Sequence, residues 1–289
     1  MGAKPTYRMH GGYRMPLGFP PESFSSAVDY CAQPGDIILS TYPKCGTTWV
    51  QYIVYLLLHD GTPLSSSQLL GDFVPHLEEI GKHAVEDLSE PRAIKTHFSY
   101  AMTPAHPDAR YIVVIRNPFD CVVSFYHHTR GFDKHYKFLI GTFDDFFECF
   151  LVGKVDFGDY FDHLGPWYRH RNDRNVLLLI FEDMKDDPVA AVTEIAEFLE
   201  LSGAKDEEFL ADVAQRSSFD EMRKGQDRWS SRRPGDMPAF VRKGIVGDWR
   251  NYFSPEQAHR LVDKFSASAE TWGFTGLWSD IIRAAEQMS

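Results

Sequence analysis

At 289 residues, 43% of them hydrophobic and 25% charged, the chain has the size and balance of one folded globular domain. No apolar run reaches membrane-spanning length, and the first thirty residues hold no stretch of signal-peptide type. A formal net charge of −11 opposes nonspecific binding to nucleic acid or anionic membranes, yet leaves room for a local cationic pocket.

Residues 1–34 read as a loop-rich opening with a short helix expected over Pro21–Tyr30. Asp36–Thr41 is a short β-rich run, and Thr47–His59 places Trp49, Ile53, Leu56 and Leu57 at helical spacing, which makes a strand–loop–helix unit. Ala93–Thr96 is a candidate second strand. Arg110–Arg116 has the uninterrupted apolar middle of a strand buried on both faces, and Asn117-Pro118 then opens a helix to about His128. Val176–Phe181 is another buried strand. Helices are expected over Phe143–Val152, Tyr160–Arg171, Pro188–Leu199, Asp206–Gln215 and Pro255–Trp272, and Ser230–Val246 reads as a long loop. Strands alternating with helices, with no linker and no repeat, predict one α/β domain over residues 1–289, with a central, mostly parallel sheet flanked by helices.

Four scattered cysteines, Cys31, Cys45, Cys121 and Cys149, lack CxxC spacing and read as reduced thiols, so a cytoplasmic location is expected. Aromatics reach 14%, which fits either a ring-rich core or an apolar pocket for a ring-shaped ligand; composition does not separate the two. No His/Cys/Asp cluster has metal spacing, and no metal is expected.

The most informative segment is Tyr42-Pro43-Lys44-Cys45-Gly46-Thr47-Thr48-Trp49. It joins a strand to a helix start, where unpaired backbone N–H groups and the helix dipole favour an anion. Gly46 permits close approach, Thr47 and Thr48 add hydroxyls, and Lys44 adds a full charge. Taken alone, the cluster fits a capped helix with a solvated lysine equally well. It is not a nucleotide P-loop, in which the lysine follows the glycine.

This segment resembles the 5′-phosphosulfate-binding loop of the cytosolic sulfotransferases, with Cys45 where Ser or Ala is usual. Ile112–His128 resembles the 3′-phosphate-binding strand and helix of the same family, and Arg242–Phe253 resembles its C-terminal RKGxxGDWKNxF signature. The resemblance implies a P-loop-like phosphosulfate loop and the donor 3′-phosphoadenosine 5′-phosphosulfate (PAPS), with PAP as product. It assigns Arg116 and Ser124 to the 3′-phosphate, with Arg242, Lys243 and Gly244 on its other side. Residues 222–250 agree, holding eight Arg or Lys against three Asp. For adenine, Trp49 and Phe219 match the family's aromatics, and Ser217-Ser218 stand for Thr-Ser. Phe181 replaces a tyrosine and so loses a hydroxyl. Cys45 is either a small buried spacer or, at a helix start beside Lys44, a thiol of lowered pKa.

For the chemistry, the resemblance makes His97, in Lys95-Thr96-His97, the base that takes the acceptor's proton. Lys44 would stabilise the departing oxygen, Lys95 is a second electrostatic partner, and Ser124 contacts Lys44 in the resting donor complex. On the acceptor side, Phe73–Glu78 resembles a family segment with His76 in place of an aromatic. His76 is either a partly exposed loop residue or a pocket residue, and Phe125, Tyr126 and His128 are candidates for a wall. The implied acceptor is a small phenol, steroid, catecholamine or other amine. The family's dimerisation motif is not reproduced at Arg250–His259, so a monomer or weak dimer is expected. The remaining alternatives are a P-loop nucleotide kinase, or a non-catalytic protein that binds a nucleotide or a hydrophobic ligand.

Overall fold

The structure, a computed structural model, describes residues 2–229 and 241–289. A small antiparallel hairpin of β1 (Arg8–His10) and β2 (Tyr13–Met15) comes first, followed by α1 (Pro21–Val28). β3 (Ile37–Thr41) leads into α2 (Thr47–Leu58); the short helices α3 (Leu77–Ile80) and α4 (Lys82–Glu86) precede β4 (Ala93–Thr96). β5 (Arg110–Ile115) feeds α5 (Pro118–Gly131), α6 (Asp133–Tyr136), α7 (Phe143–Leu151) and α8 (Tyr160–Arg169). β6 (Val176–Ile180) is followed by α9 (Phe181–Asp186), α10 (Pro188–Phe198), α11 (Glu207–Arg216) and α12 (Phe219–Lys224). α13 (Pro255–Trp272) and α14 (Ser279–Glu286) complete the chain.

Four strands form one parallel sheet in the order β4-β3-β5-β6. Side-chain alternation explains its burial. On β5, Tyr111, Val113 and Ile115 enter one apolar layer with residues of α5, α7, α8 and α13, whereas Ile112 and Val114 enter the other with α2, α10 and α11. The expected two-face burial of this strand is therefore met. β6 is an edge strand and only half-buried; among the described residues no strand pairs its outer side. Asn117 caps α5 by accepting from the amide of Asp120, with Pro118 in the first turn.

The hairpin and α3, α4, α6, α9, α12 and α14 were not expected; most are too short for a periodic pattern to declare them. Of the expected loop over residues 230–246, residues 230–240 lie outside the described part, and 241–246 form no helix or strand. Among the described residues, no helix is long and apolar enough to cross a membrane.

Candidate active site

Because the strands are parallel, their carboxyl ends share one edge, which is where open α/β sheets bind ligands. β3 delivers the loop 42–48 there, β4 delivers His97, β5 delivers Arg116 and β6 delivers Phe181. In the loop, Lys44 takes a left-handed conformation (φ 71°) and Gly46 follows at φ 110°, with no side chain capping α2. A Cβ on Gly46 would lie 2.9 Å from Phe181 Cδ2, so only glycine fits this cradle. The helix start thus offers backbone donors to an anion. The hydroxyl of Thr47 is hydrogen-bonded to that of Thr41, and both Thr47 and Thr48 line the cavity.

Cys45 settles on the spacer side of its two readings. Its Sγ is fully buried, 3.8 Å from the Sγ of Cys121, and burial pushes its thiol well above the ordinary range, not below it. The alternative, a lowered thiol pKa, does not occur, because desolvation and the neighbouring Cys121 outweigh the positive charge of Arg116.

Arg116 ties the cavity together. Its guanidinium lies 4.4 Å over the ring of Phe181 and donates to the carbonyls of Lys44 at 3.2 Å and Ile245 at 3.3 Å, while its buried Nε has no hydrogen-bond partner among the described residues. Phe181 thereby acts as a shelf for the arginine, a packing role that needs no hydroxyl. Ser124 lines the same cavity. Arg242 and Lys243 each donate at 2.8 Å to the carboxylate of Asp248. Burial works against ionisation of Asp248, but these hydrogen bonds prevail and hold its carboxyl at about 2. Gly244 (φ 61°) brings backbone against Phe219, where a Cβ would approach within 2.4 Å.

Asp120 and Asp248 are site-building residues that sequence reasoning missed. The buried carboxylate of Asp120 accepts from the amides of Gly247 at 2.7 Å and Trp249 at 3.0 Å, which locks α5 to the C-terminal basic segment. Asp120→Ala leaves both amides unpaired, at about 1–3 kcal/mol each. We expect a lowered urea midpoint together with weaker nucleotide binding. An unchanged midpoint would mean that the lock is dispensable.

Trp49 and Phe219 also line the cavity, and the Lys185 Nζ lies 5.9 Å from each ring centroid. Ser217 reaches the cavity too, but its hydroxyl donates to the Ala214 carbonyl at 3.2 Å. Ser218 caps α12.

At the other end, the buried imidazole of His97 donates from Nδ1 to the Thr41 carbonyl at 2.7 Å. A carbonyl only accepts, so Nδ1 carries the hydrogen. Burial first, then Lys95 and His76, push the pKa of His97 well below the usual imidazole range. The ring is neutral at pH 7, with a bare Nε2 for a proton. Burial also lowers Lys95, against the pull of Glu79 and Glu78.

His76 proves to be a buried cavity residue, its ring 4.9 Å from that of His97. Its Nε2 lies 3.3 Å from Glu78 Oε2 but is not aligned as a hydrogen bond. The other oxygen of Glu78 accepts from the His97 amide at 2.5 Å and the Thr96 hydroxyl at 2.9 Å. Burial opposes ionisation of Glu78, but His76 and the His97 amide hold its carboxyl below the usual range.

Three acceptor-side assignments are corrected. Phe73 packs against Tyr55 and His59 at the far end of α2, at centroid distances of 5.0 and 5.4 Å, and does not line the cavity. Phe125 is fully buried against Tyr42 and Phe146, because its position on α5 points into the core beneath the sheet. Tyr126 is likewise a core residue, whereas His128 does reach the cavity. The aromatic wall comes instead from Phe19, Phe132, Tyr136 and Phe157.

A family model described as the sulfotransferase domain matches residues 34–273. The chain belongs to the sulfotransferase family. Among related sulfotransferases, it is 33% identical to mouse sulfotransferase 1 family member D1, over 86% of this chain and 88% of that protein. It is 36% identical to bovine sulfotransferase 1A1, over 82% and 84%. A crystal structure of the mouse sulfotransferase SULT7A1 complexed with PAP superposes with a TM-score of 0.75 at 28% identity, covering 96% of this chain and 97% of that one. This sulfotransferase is accordingly an enzyme of sulfuryl transfer with the family's α/β architecture.

Proposed function

We propose that the cavity takes PAPS and passes its sulfuryl group to a hydroxyl or amine of a small acceptor by in-line displacement. One observation carries this: a single cavity is lined by Lys44, Gly46, Arg116, Ser124, Arg242 and Gly244, drawn from three distant stretches of the chain. The fit to such a nucleotide is supported by the glycine cradle at Gly46 and by the buried, unpartnered Nε of Arg116.

When bound, the donor supplies an activated sulfuryl group. Arg116, with Arg242 and Lys243 opposite, meets the 3′-phosphate; the loop amides and Lys44 meet the 5′ end; Trp49 and Phe219 take the adenine. His97 Nε2 receives the acceptor's proton, and Lys44 stabilises charge on the departing phosphate oxygen. Lys95 adds positive potential beside His97. The chain's own cations supply this stabilisation, and a cytosolic location accords with the family.

Purified protein mixed with labelled PAPS and a panel of phenols, alcohols and amines should yield labelled product. Binding of PAP without any transfer would favour a binding protein, and magnesium-dependent binding of ATP a kinase. Arg116→Ala should weaken PAP about 10- to 100-fold, the worth of a charge-assisted contact, while adenosine 5′-phosphosulfate, which lacks the 3′-phosphate, changes far less. Equal loss for both nucleotides, read by calorimetry, would remove Arg116 from the 3′-phosphate.

A further inference from the structure

Asp156 has no task in the transfer chemistry, yet it lines the cavity while only 1% exposed. Its Oδ2 accepts from the Tyr136 hydroxyl at 2.8 Å, whereas its Oδ1 has no hydrogen-bond partner among the described residues. A buried acceptor left unpaired is uncommon and costs about 1–3 kcal/mol. The following residue, Phe157, holds a positive φ of 62°, rare for so bulky a side chain, and its ring stands 5.0 Å from that of His97. The carboxylate is therefore seated in the acceptor half, one residue from a ring that touches the base.

Its surroundings favour a cation. Phe19, Phe132, Tyr136 and Phe157 supply aromatic surface, and Glu79 adds a second carboxylate. Burial lowers the pKa values of His97 and His135, which weakens their competition with a bound cation. Burial also lifts the Asp156 carboxyl to about 7, against the hydrogen bond from Tyr136. An uncharged alkyl tail would leave Oδ1 unpaired, and a hydroxyl would pair it without balancing its charge. An ammonium does both.

We propose that Asp156 Oδ1 is the receptor for a protonated amine on the acceptor, so that phenols or alcohols carrying an ammonium tail are the preferred acceptors. This rests on assigning this half of the cavity to the acceptor. The test is calorimetry on the PAP-loaded protein at pH 7.5 with three para-substituted phenols, bearing a 2-aminoethyl, a 2-hydroxyethyl or an ethyl tail. The ammonium ligand should bind at least tenfold more tightly than either neutral one. Asp156→Asn should cut that ratio at least tenfold, and Asp156→Glu should restore part of it. Equal affinities for the three ligands, or a ratio unchanged in Asp156→Asn, would overturn the proposal. Should Asp156→Asn fail to fold, the three-ligand series on the unmodified protein decides alone. Binding is read without turnover, so an ammonium preference with no sulfuryl transfer would still support this subsite while counting against the catalytic assignments.

Discussion

His97→Ala is expected to lower kcat by about 10²–10⁴-fold, the usual contribution of a positioned general base, with PAP affinity changing far less. The geometry behind the size of this effect is specific. Thr41 fixes the tautomer through Nδ1, and Glu78 holds the backbone amide, so the ring has little freedom to present anything but Nε2. The sign of the pH dependence follows from burial. With its pKa pushed below the ordinary value of about 6.5, the imidazole is already a free base across the neutral range, and protonation removes it only in more acid solution. Steady-state rates should therefore show no inflection from His97 between pH 8 and 6.5. A near-normal kcat for His97→Ala with a phenolic acceptor would sink the base assignment.

Lys44→Ala should lower kcat by about 10²–10³-fold, as does removal of one donor aimed at developing charge. The backbone of the loop should persist in this variant, because Arg116 grips the carbonyl of residue 44 and not its side chain. If Lys44 acts when the phosphate departs, the loss falls mainly on kcat; a variant with raised KM for PAPS and intact kcat would make it a ground-state anchor only. Steady-state kinetics at varied PAPS distinguishes the two.

The meeting of distant motifs at one cavity, the proposed nucleotide half, was legible in the sequence, because its residues sit in contiguous motifs: Lys44–Trp49 after β3, Arg116 after β5 and Arg242–Gly244 before Gly247-Asp248-Trp249. The four sheet strands were legible too, β5 most clearly, since burial on both faces leaves it an unbroken apolar run. The acceptor half was not. Phe125 and His128 lie three positions apart on α5, yet one enters the core and the other the cavity; sequence spacing places neither until the partner layer is known. Phe73 was misplaced because nothing in its motif declares that Tyr55 and His59 claim its ring. Phe19, Phe132, Tyr136 and Asp156 lie in loops and short helices that carry no periodic signal, and Asp120 looks like an ordinary first-turn helix acid until its partner amides, more than a hundred residues away, fold onto it.

The Glu78 carboxylate grips the amide of His97 with one oxygen and lies beside His76 with the other, so the proposed base and a neighbouring cavity-lining histidine share a hinge pin at this spot. Anyone retargeting the enzyme toward bulkier or differently charged compounds should leave positions 76–78 untouched and diversify Phe132 and His135, which also line the cavity. Libraries built there can trade selectivity without disturbing proton removal, whereas libraries at 76–78 will surrender turnover with every change of preference.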